Sequence, residues 1–466
     1  MAHSDRPDPR SRPSSGPRAP SGPRSSGGGR PRRARPEAEI ADAALDALVA
    51  IENGRAADRV LKAAFDRRKW PPPARGRIAR LVLGVCRHRA QIDWWLERGG
   101  CRPAPLARLG AALVLMGKAD KGTLRKHLPH LPTPELRAIE TMFDHTLDHP
   151  DQPPAVAANL PAWLMPHLKA RFGERLLPEA AALCAEAGLD LRANTLKIGR
   201  DGAIAALAED GVIAVPTPFS PVGLRVDGRP PLTRTRAWRE GLVEVQDEAS
   251  QLAALLVGAR AGERVLDLCA GAGGKTLALA AAMANKGRLI ATDADERRLN
   301  EAVARLRRAG VHNVARHAIG AEGDKWLSRQ KGGFDRVLVD APCTGTGTFR
   351  RNPDAKWRSS PEELAHLTAL QARLLDRAAD LVKPGGRLVY ATCSILRAED
   401  EDQIDAFLAR RPDYRTVPLA EAWAATGSAR PAPDDGPDFV ARNLVLSPAR
   451  HETDGFFAAV LERAAA

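Results

Sequence analysis

The sequence predicts an α/β protein: a doubly wound parallel sheet at its C-terminal end, preceded by an all-α domain and a small α+β module. Two observations support this fold class. From Gly241 onward, short β-branched apolar runs alternate with amphipathic segments, an order typical of parallel strands joined by crossover helices. Between Glu37 and Asp148, in contrast, apolar residues recur at helical spacing throughout.

Length and charge indicate several domains and a polyanionic partner. At 466 residues the chain is too long for one hydrophobic core. We divide it into a tail (1–36), a helical domain (37–148), a small α+β module (155–240) and an α/β domain (241–466). The tail contains nine arginines among Pro, Gly and Ser, which predicts disorder. The net charge of +13 favours nucleic acid as a partner, although it also serves solubility.

In the helical domain, two apolar stripes each predict a helix. The first contains Ile40, Ala44, Leu48 and Ile51, and the second contains Ile78, Leu81, Val82 and Val85. Arg77, Arg80 and Arg87 lie off the second stripe, where we expect a solvated face or, alternatively, a nucleic-acid face. Residues 149–154 contain three prolines and are expected to form a linker.

The module at 155–240 combines helical and strand signals. Helices are expected around Trp163–Phe172 and Glu179–Ala187, and strands at Leu191–Leu196 and Gly223–Val226. The α/β domain contains four predicted buried strands, at Arg264–Leu268, Arg288–Thr292, Arg336–Val339 and Arg387–Ala391. Its predicted helices lie near Lys275–Ala284, Glu296–Ala309 and Pro361–Val382.

Reactive side chains follow two of these strands. Asp340 and Cys343 come after the third strand, and Cys393 comes directly after the fourth. Because ligands bind at the carboxyl edge of open α/β sheets, a carboxylate and two thiols there indicate a reactive cleft. An ordinary buried cysteine remains the alternative for either thiol.

A glycine-rich turn, DLCAGAGGKT at Asp267–Thr276, follows the first strand. It matches neither the dinucleotide fingerprint nor the P-loop spacing, so it favours an adenosine without phosphates. Asp293 ends the second strand, where its carboxylate can accept from both ribose hydroxyls. Alternatively, Asp293 caps the helix that begins at Glu296. S-adenosylmethionine fits this pattern and places a methyl group near the two thiols.

Composition limits the other classes. Six cysteines without regular spacing predict neither a disulfide framework nor a zinc site, which fits a reducing cytoplasm. No charge-free apolar run approaches the length of a membrane span, and the N-terminus has no signal-peptide core. We therefore expect a cytoplasmic protein without membrane association or a bound metal, and a monomer.

Several motifs resemble, in order and spacing, those of the Sun-type RNA (cytosine-5) methyltransferases. They are DLCAGAGGKT, DAPCTGTGTFRRNPDAKW (Asp340–Trp357), YATCSILRAEDEDQI (Tyr390–Ile404) and DGFF (Asp454–Phe457). LRANTLK (Leu191–Lys197) and GLVEVQDEASQL (Gly241–Leu252) are similar to the family's module before the catalytic domain. Arg75–Gly99 resembles the NusB-like RNA-binding domain of bacterial members that methylate small-subunit ribosomal RNA.

This resemblance implies a Rossmann-like domain that uses S-adenosylmethionine to methylate cytosine in RNA. It implies Cys393 as the nucleophile and Cys343 as the release residue, with Asp340 contacting the cofactor side and the cytosine edge. Asp293 would hold the ribose. The cofactor loop would be formed by Cys269, Ala270, Gly271, Ala272, Gly273, Gly274 and Lys275.

Two departures from the family pattern concern the cofactor pocket. Gly271-Ala272 stands where members commonly have Ala-Pro, and the usual acidic residue near Gly320 is replaced. Glu322 or Asp324 would substitute for that acid only if the loop is shifted. The adenine-side contact is therefore left open.

Cytosine C5 becomes nucleophilic only after a group adds to C6, which a thiolate does. A second thiolate, Cys343, suits removal of the C5 proton, while Asp340 either donates to N3 when protonated or holds the exocyclic amine when ionised. The base must leave its stack, so an unpaired or flipped cytosine is expected. We expect the approach to Cys343 to be lined by Arg350, Arg351, Lys356 and Trp357, with phosphate contact by the two arginines. Alternatively, Trp357 belongs to the core and the two arginines are solvated.

Two other functions stay open at this point. In a DNA cytosine methyltransferase Cys343 alone would be the nucleophile, a reading that the Thr392-Cys393 pair argues against. A non-catalytic RNA-binding assembly factor would have a vestigial cofactor pocket, although both cysteines, Asp340 and Lys275 are present.

Overall fold

A computed structural model describes residues 36–320, 325–433 and 442–465, so most of the predicted tail lies outside the described residues. The first described region consists of helices that share one hydrophobic core, which extends from Ile40 to Met142. They are α1 (Pro36–Glu52), α2 (Ala57–Arg67), α3 (Pro72–Arg87), α4 (Arg89–Arg98), α5 (Pro105–Leu115), α6 (Lys121–His127) and α7 (Thr133–Glu140).

A small antiparallel sheet with strand order β2-β3-β1-β4 occupies the middle of the chain. The elements here are α8 (Pro154–Ala157), α9 (Leu164–Phe172), α10 (Leu176–Cys184), β1 (Leu189–Ala193), α11 (Arg200–Glu209), β2 (Ala214–Pro216), β3 (Gly223–Val226), α12 (Arg236–Arg239) and β4 (Val243–Val245). The sheet has its own core. Helices α9 and α10, in contrast, share a core with Phe349 and Ile395 of the α/β domain.

The C-terminal domain is built on an eight-stranded sheet with order β10-β12-β9-β8-β5-β6-β7, and β11 pairs with β12. Its strands are β5 (Arg264–Asp267), β6 (Arg288–Asp293), β7 (Val314–Ala318), β8 (Phe334–Asp340), β9 (Val382–Thr392), β10 (Tyr414–Thr416), β11 (Leu444–Leu446) and β12 (Phe456–Arg463). Its helices are α13 (Glu248–Leu256), α14 (Gly274–Ala282), α15 (Glu296–Ala309), α16 (Lys325–Ser328), α17 (Ala355–Arg358), α18 (Pro361–Leu381), α19 (Glu401–Arg410), α20 (Leu419–Ala424) and α21 (Pro448–His451).

Both faces of this sheet are covered, which confirms the doubly wound α/β class. Leu338 and Val389 pack into the core that contains α13 and α14 residues, whereas Val339 and Tyr390 pack into the core that contains α18 residues. Alternating side chains along one strand thus serve two apolar layers. Each of the four predicted strands is present.

The sheet is mixed, however, and not purely parallel as predicted. Strands β5 to β9 are parallel, whereas β12 runs antiparallel between β9 and β10. The sequence of β12 gave no strand signal because residues Phe456–Leu461 are buried on both faces and show no polar alternation. β7, in contrast, is an edge strand whose residues are all exposed or partly exposed.

The helical domain contacts the segment that follows the Cys343 loop. Asp354 accepts a hydrogen bond from the Ala57 amide at the start of α2 (3.1 Å). Arg87 was expected on a solvated or RNA-binding face, but it is buried and donates to the Arg350 carbonyl (3.2 Å). Lys356 is buried as well and donates to the Arg87 carbonyl (2.8 Å). A domain interface therefore explains these basic residues.

The predicted linker packs against α4. Gln91 donates to Asp148 (2.8 Å) and to Gln152 (3.1 Å). His149 lies with its ring centroid 5.0 Å from that of Trp94. Among the described residues, no helix combines the length and apolar character needed to cross a membrane.

We expect Arg171→Met to lower the free energy of unfolding by roughly 3–5 kcal/mol, because it leaves the buried Asp400 carboxylate without its cation. Arg171 and Asp400 form a 2.7 Å ion pair in which both side chains are 1% exposed. Urea denaturation is the measurement. The control is Lys62→Ala, since Lys62 and Asp66 form an exposed pair on α2. Equal stability of the two variants would contradict the prediction.

Candidate active site

The two cysteines meet at the carboxyl edge of the sheet. Strands β8 and β9 are parallel neighbours with Asp340 paired to Ala391, so the residues that follow them emerge side by side. Cys343 and Cys393 lie with their sulfur atoms 3.4 Å apart. Both residues are partly exposed. The structure thus brings together the thiols that the strand ends predicted.

A buried glutamate, Glu399, joins the loops that carry these thiols. Its carboxylate accepts from the Thr344 amide (2.9 Å), the Thr344 hydroxyl (2.5 Å) and the Ser394 hydroxyl (2.6 Å). Gln371 of α18 donates to the same carboxylate (3.0 Å). Each cysteine is therefore followed directly by a residue fixed to Glu399. Glu399 belongs to the motif YATCSILRAEDEDQI, but the motif alone did not indicate this role.

Two glycines allow the chain to pass closely behind Cys393. The Gly347 amide donates to the Cys393 carbonyl (3.0 Å), and the Gly455 amide donates to the Gly347 carbonyl (2.9 Å). A Cβ atom at Gly347 would overlap the Gly455 carbonyl. The glycine of the DGFF motif thus has a packing role beside the Cys393 loop.

The surroundings of the Cys343 thiol favour its protonated form. Its pKa is raised well above the ordinary value, chiefly by its hydrogen bond to Cys393, then by burial and by the negative charges of Cys393 and Glu399. Burial also raises the pKa of Cys269. Of these two cysteines, only Cys343 has another thiol within hydrogen-bond distance among the described residues.

The glycine-rich turn has the conformation that its residues predict. Gly271 (φ 54°) and Gly273 (φ 80°) are in the left-handed region, which leads directly into α14. Behind the turn, Asp267 accepts from the Thr276 hydroxyl (2.7 Å), and burial raises the pKa of Asp267 to about 7. Its other oxygen, Oδ1, is buried without a hydrogen-bond partner in the described part of the chain.

Asp293 braces this turn from the end of β6. Its Oδ2 accepts from the Gly271 amide (2.7 Å), and its Oδ1 accepts from the Asp295 amide (2.8 Å). The cap of α15 is Asp295, which accepts from the amides of Arg297 and Arg298. The alternative that Asp293 caps this helix is therefore wrong.

Lys275 and Asp340 connect the cofactor loop to the cysteine loop. Lys275 Nζ lies 2.8 Å from Asp340 Oδ1, and the ammonium sits 4.8 Å from the centroid of the Phe456 ring. The Lys275 side chain is almost buried, whereas a third of the Asp340 side chain is exposed. An ion pair thus holds Asp340 at the opening of the cleft.

Arg305 fastens the cofactor loop to the small sheet. It donates to the Ala272 carbonyl (2.7 Å) and to Glu244 on β4 (3.2 Å). Glu244 also accepts from Arg308 (2.6 Å), whose guanidinium stacks 3.8 Å from the Trp238 ring centroid. Periodicity in the sequence did not indicate this supporting role for the module.

One cavity of about 360 Å³ is lined by residues from both the predicted cofactor side and the cysteine side of the site. Its wall includes Cys269, Asp293, Asp340, Cys343 and Cys393. The remaining predicted cofactor residues lie outside this lining, in the turn and first helical residues beyond Cys269; they are Ala270, Gly271, Ala272, Gly273, Gly274 and Lys275. Ile319 and Gly320 form another part of the wall, while Glu322 and Asp324 lie outside the described residues.

The basic residues after Cys343 form ion pairs and hydrogen bonds within the protein. Arg350 is 7% exposed and pairs with Asp454 (2.9 Å), and Arg351 pairs with Asp454 and Asp247 (2.6 and 2.7 Å). The expected phosphate contact by the two arginines is therefore wrong, because carboxylates from distant segments neutralise them. Trp357 likewise donates to the Cys86 carbonyl (2.5 Å) in the domain interface.

We expect Glu399→Gln to lower the free energy of unfolding by about 1–3 kcal/mol, because the new amide directs N–H groups at donors that need an acceptor. Alkylation of Cys343 and Cys393 should also become faster, which mass spectrometry of iodoacetamide-treated protein measures. The control is Glu97→Gln, at an exposed position on α4. Unchanged stability and alkylation in Glu399→Gln would show that this carboxylate does not hold the loops.

Comparison with known proteins gives the family. Residues 254–462 match the family model for the 16S rRNA methyltransferase RsmB/F, and residues 160–233 match the ferredoxin-like domain of RsmF/B-like methyltransferases. Ribosomal RNA small subunit methyltransferase B of Salmonella newport is 31% identical over 431 residues, which cover 88% of this chain and 95% of that protein.

Two solved structures are similar as well. The crystal structure of PH0851 has a TM-score of 0.76 and 28% identity, covering 92% of this chain and 99% of that one. A methyltransferase homologue from Pyrococcus horikoshii has a TM-score of 0.57 and 29% identity, covering 66% and 97%. S-adenosylmethionine, the predicted cofactor, is the methyl donor of this family. The chain belongs to the RsmB/F family of small-subunit ribosomal RNA methyltransferases.

Proposed function

We propose that this protein methylates C5 of a cytosine in small-subunit (16S) ribosomal RNA through a covalent bond between Cys393 and C6. The observation that carries this proposal is the pair of thiols 3.4 Å apart, which share one cavity with Asp340 and Asp293. A single transfer of a methyl group to nitrogen or oxygen requires no thiol. Transfer to C5 requires one thiol to activate the ring and a base to remove the C5 proton.

Cys393 is the nucleophile in this proposal. Its sulfur adds to C6, which gives C5 the electron density to take the methyl group. The Cys343 thiolate then takes the C5 proton, the C5–H electron pair forms the C5–C6 double bond, and the C6–S bond breaks, which restores the aromatic ring and the Cys393 thiolate. The raised pKa of Cys343 disfavours its thiolate, the form that would make the first attack.

Cys343 acts in this proposal as the base at a later stage. Its pKa is raised chiefly by its hydrogen bond to Cys393. When Cys393 becomes a thioether in the adduct, its sulfur accepts hydrogen bonds poorly and carries no charge. Two causes of the raised pKa of Cys343 are then removed, so Cys343 passes its proton to water more readily and its thiolate can take the C5 proton.

Asp340 orients the base. Of the two roles considered for it, the ionised carboxylate is favoured by its ion pair with Lys275. Lys275 contacts Oδ1, which leaves Oδ2 to accept from the exocyclic amine of cytosine. This arrangement distinguishes cytosine from uracil, which presents a carbonyl at that position.

The chain offers a suitable site for the cofactor. Asp293 places a carboxylate on the cavity wall, to which apolar Ile319 also belongs, and it braces the turn in which Gly271 and Gly273 have positive φ. Asp293 would accept from the ribose hydroxyls, and Cys269 and Gly320 would line the nucleoside. When bound, S-adenosylmethionine supplies the methyl group from its sulfonium. Lys275, which lies outside the cavity lining, holds Asp340 on the cavity wall.

The substrate cytosine is unpaired or flipped, since both faces of its C5–C6 bond must be accessible in the cavity. We propose that the enzyme works as a monomer in the cytoplasm, where ribosomal RNA is assembled into subunits. Its net charge of +13 favours association with RNA, and the exposed Arg373 on the cavity wall provides a cation near the base.

The test uses small-subunit ribosomal RNA that carries tritium at C5 of its cytosines. We expect the protein and S-adenosylmethionine to release tritium into water in step with methyl incorporation, because only substitution at C5 expels that atom. Cys393→Ala should lose both signals by at least about 10³-fold, since a nucleophile is missing. Methyl incorporation without tritium release would assign another atom as the target and overturn the proposal.

A further inference from the structure

A second cavity lies between the small sheet and the α/β domain. It has a volume of about 320 Å³ and shares no lining residue with the catalytic cavity. Arg192 of β1 and Ser220 line it from one side, and Gln251 of α13 and Ala281 of α14 from the other. Its location at the far end of α14 from the glycine-rich turn separates it from the methyl-transfer chemistry.

Arg192 is the unusual feature of this cavity. It is 5% exposed, and its Nε donates to the Gln246 side chain (2.7 Å). Among the described residues, no hydrogen-bond acceptor contacts its two terminal nitrogens and no carboxylate forms an ion pair with it. Burial lowers the pKa of Arg192 to about 10. A buried guanidinium whose terminal nitrogens have no direct partner is costly, so its presence requires an explanation.

The neighbouring glutamate, Glu244, forms no direct ion pair with Arg192, although its charge partly offsets the effect of burial on the pKa of Arg192. Glu244 lies next to β1 in the sheet, but its two oxygens accept from Arg305 (3.2 Å) and Arg308 (2.6 Å). No aspartate or glutamate lines the cavity among the described residues. A second arginine, Arg260, lies exposed on its rim, and the exposed Thr195 adds a hydroxyl. The cavity is thus lined by two cations and no anion.

We propose that this second cavity binds a phosphate group, held by the terminal nitrogens of Arg192 with Arg260 and Thr195 at the rim. A guanidinium contacts two phosphate oxygens at once, and it does so most strongly where water is excluded. The volume accommodates a phosphate with an attached nucleoside. The group comes either from a phosphodiester of RNA or from a free phosphate compound, and the chemistry of recognition is the same.

The test measures binding and not methyl transfer, so its failure is separate from failure of the proposed activity. Inorganic phosphate is titrated into the full-length protein by calorimetry at constant ionic strength, with Arg192→Gln as the variant and Arg77→Gln, at an exposed arginine on α3, as the matched control. We expect saturable binding by wild type and Arg77→Gln and at least about tenfold weaker binding by Arg192→Gln. Arg192→Lys, which keeps the positive charge but not the paired N–H donors of the guanidinium, should bind phosphate with intermediate affinity.

A second arm identifies an RNA source. If inorganic phosphate does not bind, a single-stranded oligoribonucleotide should bind Arg192→Gln more weakly, with a salt slope lower by about 0.7 for one lost phosphate contact. Thermal unfolding checks that the variant is folded; without ligand it should melt no lower than wild type, because the unpaired buried charge is gone. Equal binding of phosphate and of RNA by wild type and Arg192→Gln would overturn the proposal.

Discussion

The site depends on one buried carboxylate that fixes two loops to each other. Glu399 accepts from residues directly after Cys343 and directly after Cys393, and Gln371 of α18 completes its shell. The thiols therefore stay 3.4 Å apart although their loops belong to different strands. Without this carboxylate, each loop would have to bury unpaired hydroxyl and amide groups, which is unfavourable. Hydrogen bonding of one acid thus produces the geometry on which two-thiol chemistry relies.

Three other parts of the chain, namely α9, the small sheet and the helical domain, contact the loops that form the site. α9 contributes Arg171, which donates to the Ile395 carbonyl and pairs with Asp400 beside Glu399. The small sheet reaches the cofactor loop through Glu244 and Arg305. The helical domain holds the segment after Cys343, because its Ala57 amide donates to Asp354 and its Arg87 carbonyl accepts from Lys356. The catalytic edge of the sheet is therefore supported by parts of the chain that carry none of its reactive groups.

The sequence predicted those features that depend on local pattern. Parallel strands end at one edge of a sheet, so the sequence alone predicted that Asp293, Asp340, Cys343 and Cys393 lie in one cleft, and all four line the catalytic cavity. Features that depend on distant partners could not be predicted. Arg350 and Arg351 look like an RNA-binding pair in sequence, yet Asp247 and Asp454 neutralise them. The antiparallel strand β12 was missed because burial on both faces removes the alternation that marks a strand.

The most direct measurement of the central claim is a covalent trap. Cys343→Ala and Cys393→Ala proteins are each mixed with small-subunit ribosomal RNA and S-adenosylmethionine and separated on a denaturing gel. The account predicts a slowly migrating protein–RNA adduct with Cys343→Ala, in which the bond to C6 forms and cannot be resolved, and none with Cys393→Ala. An adduct with Cys393→Ala alone would exchange the roles of the two thiols and contradict the account.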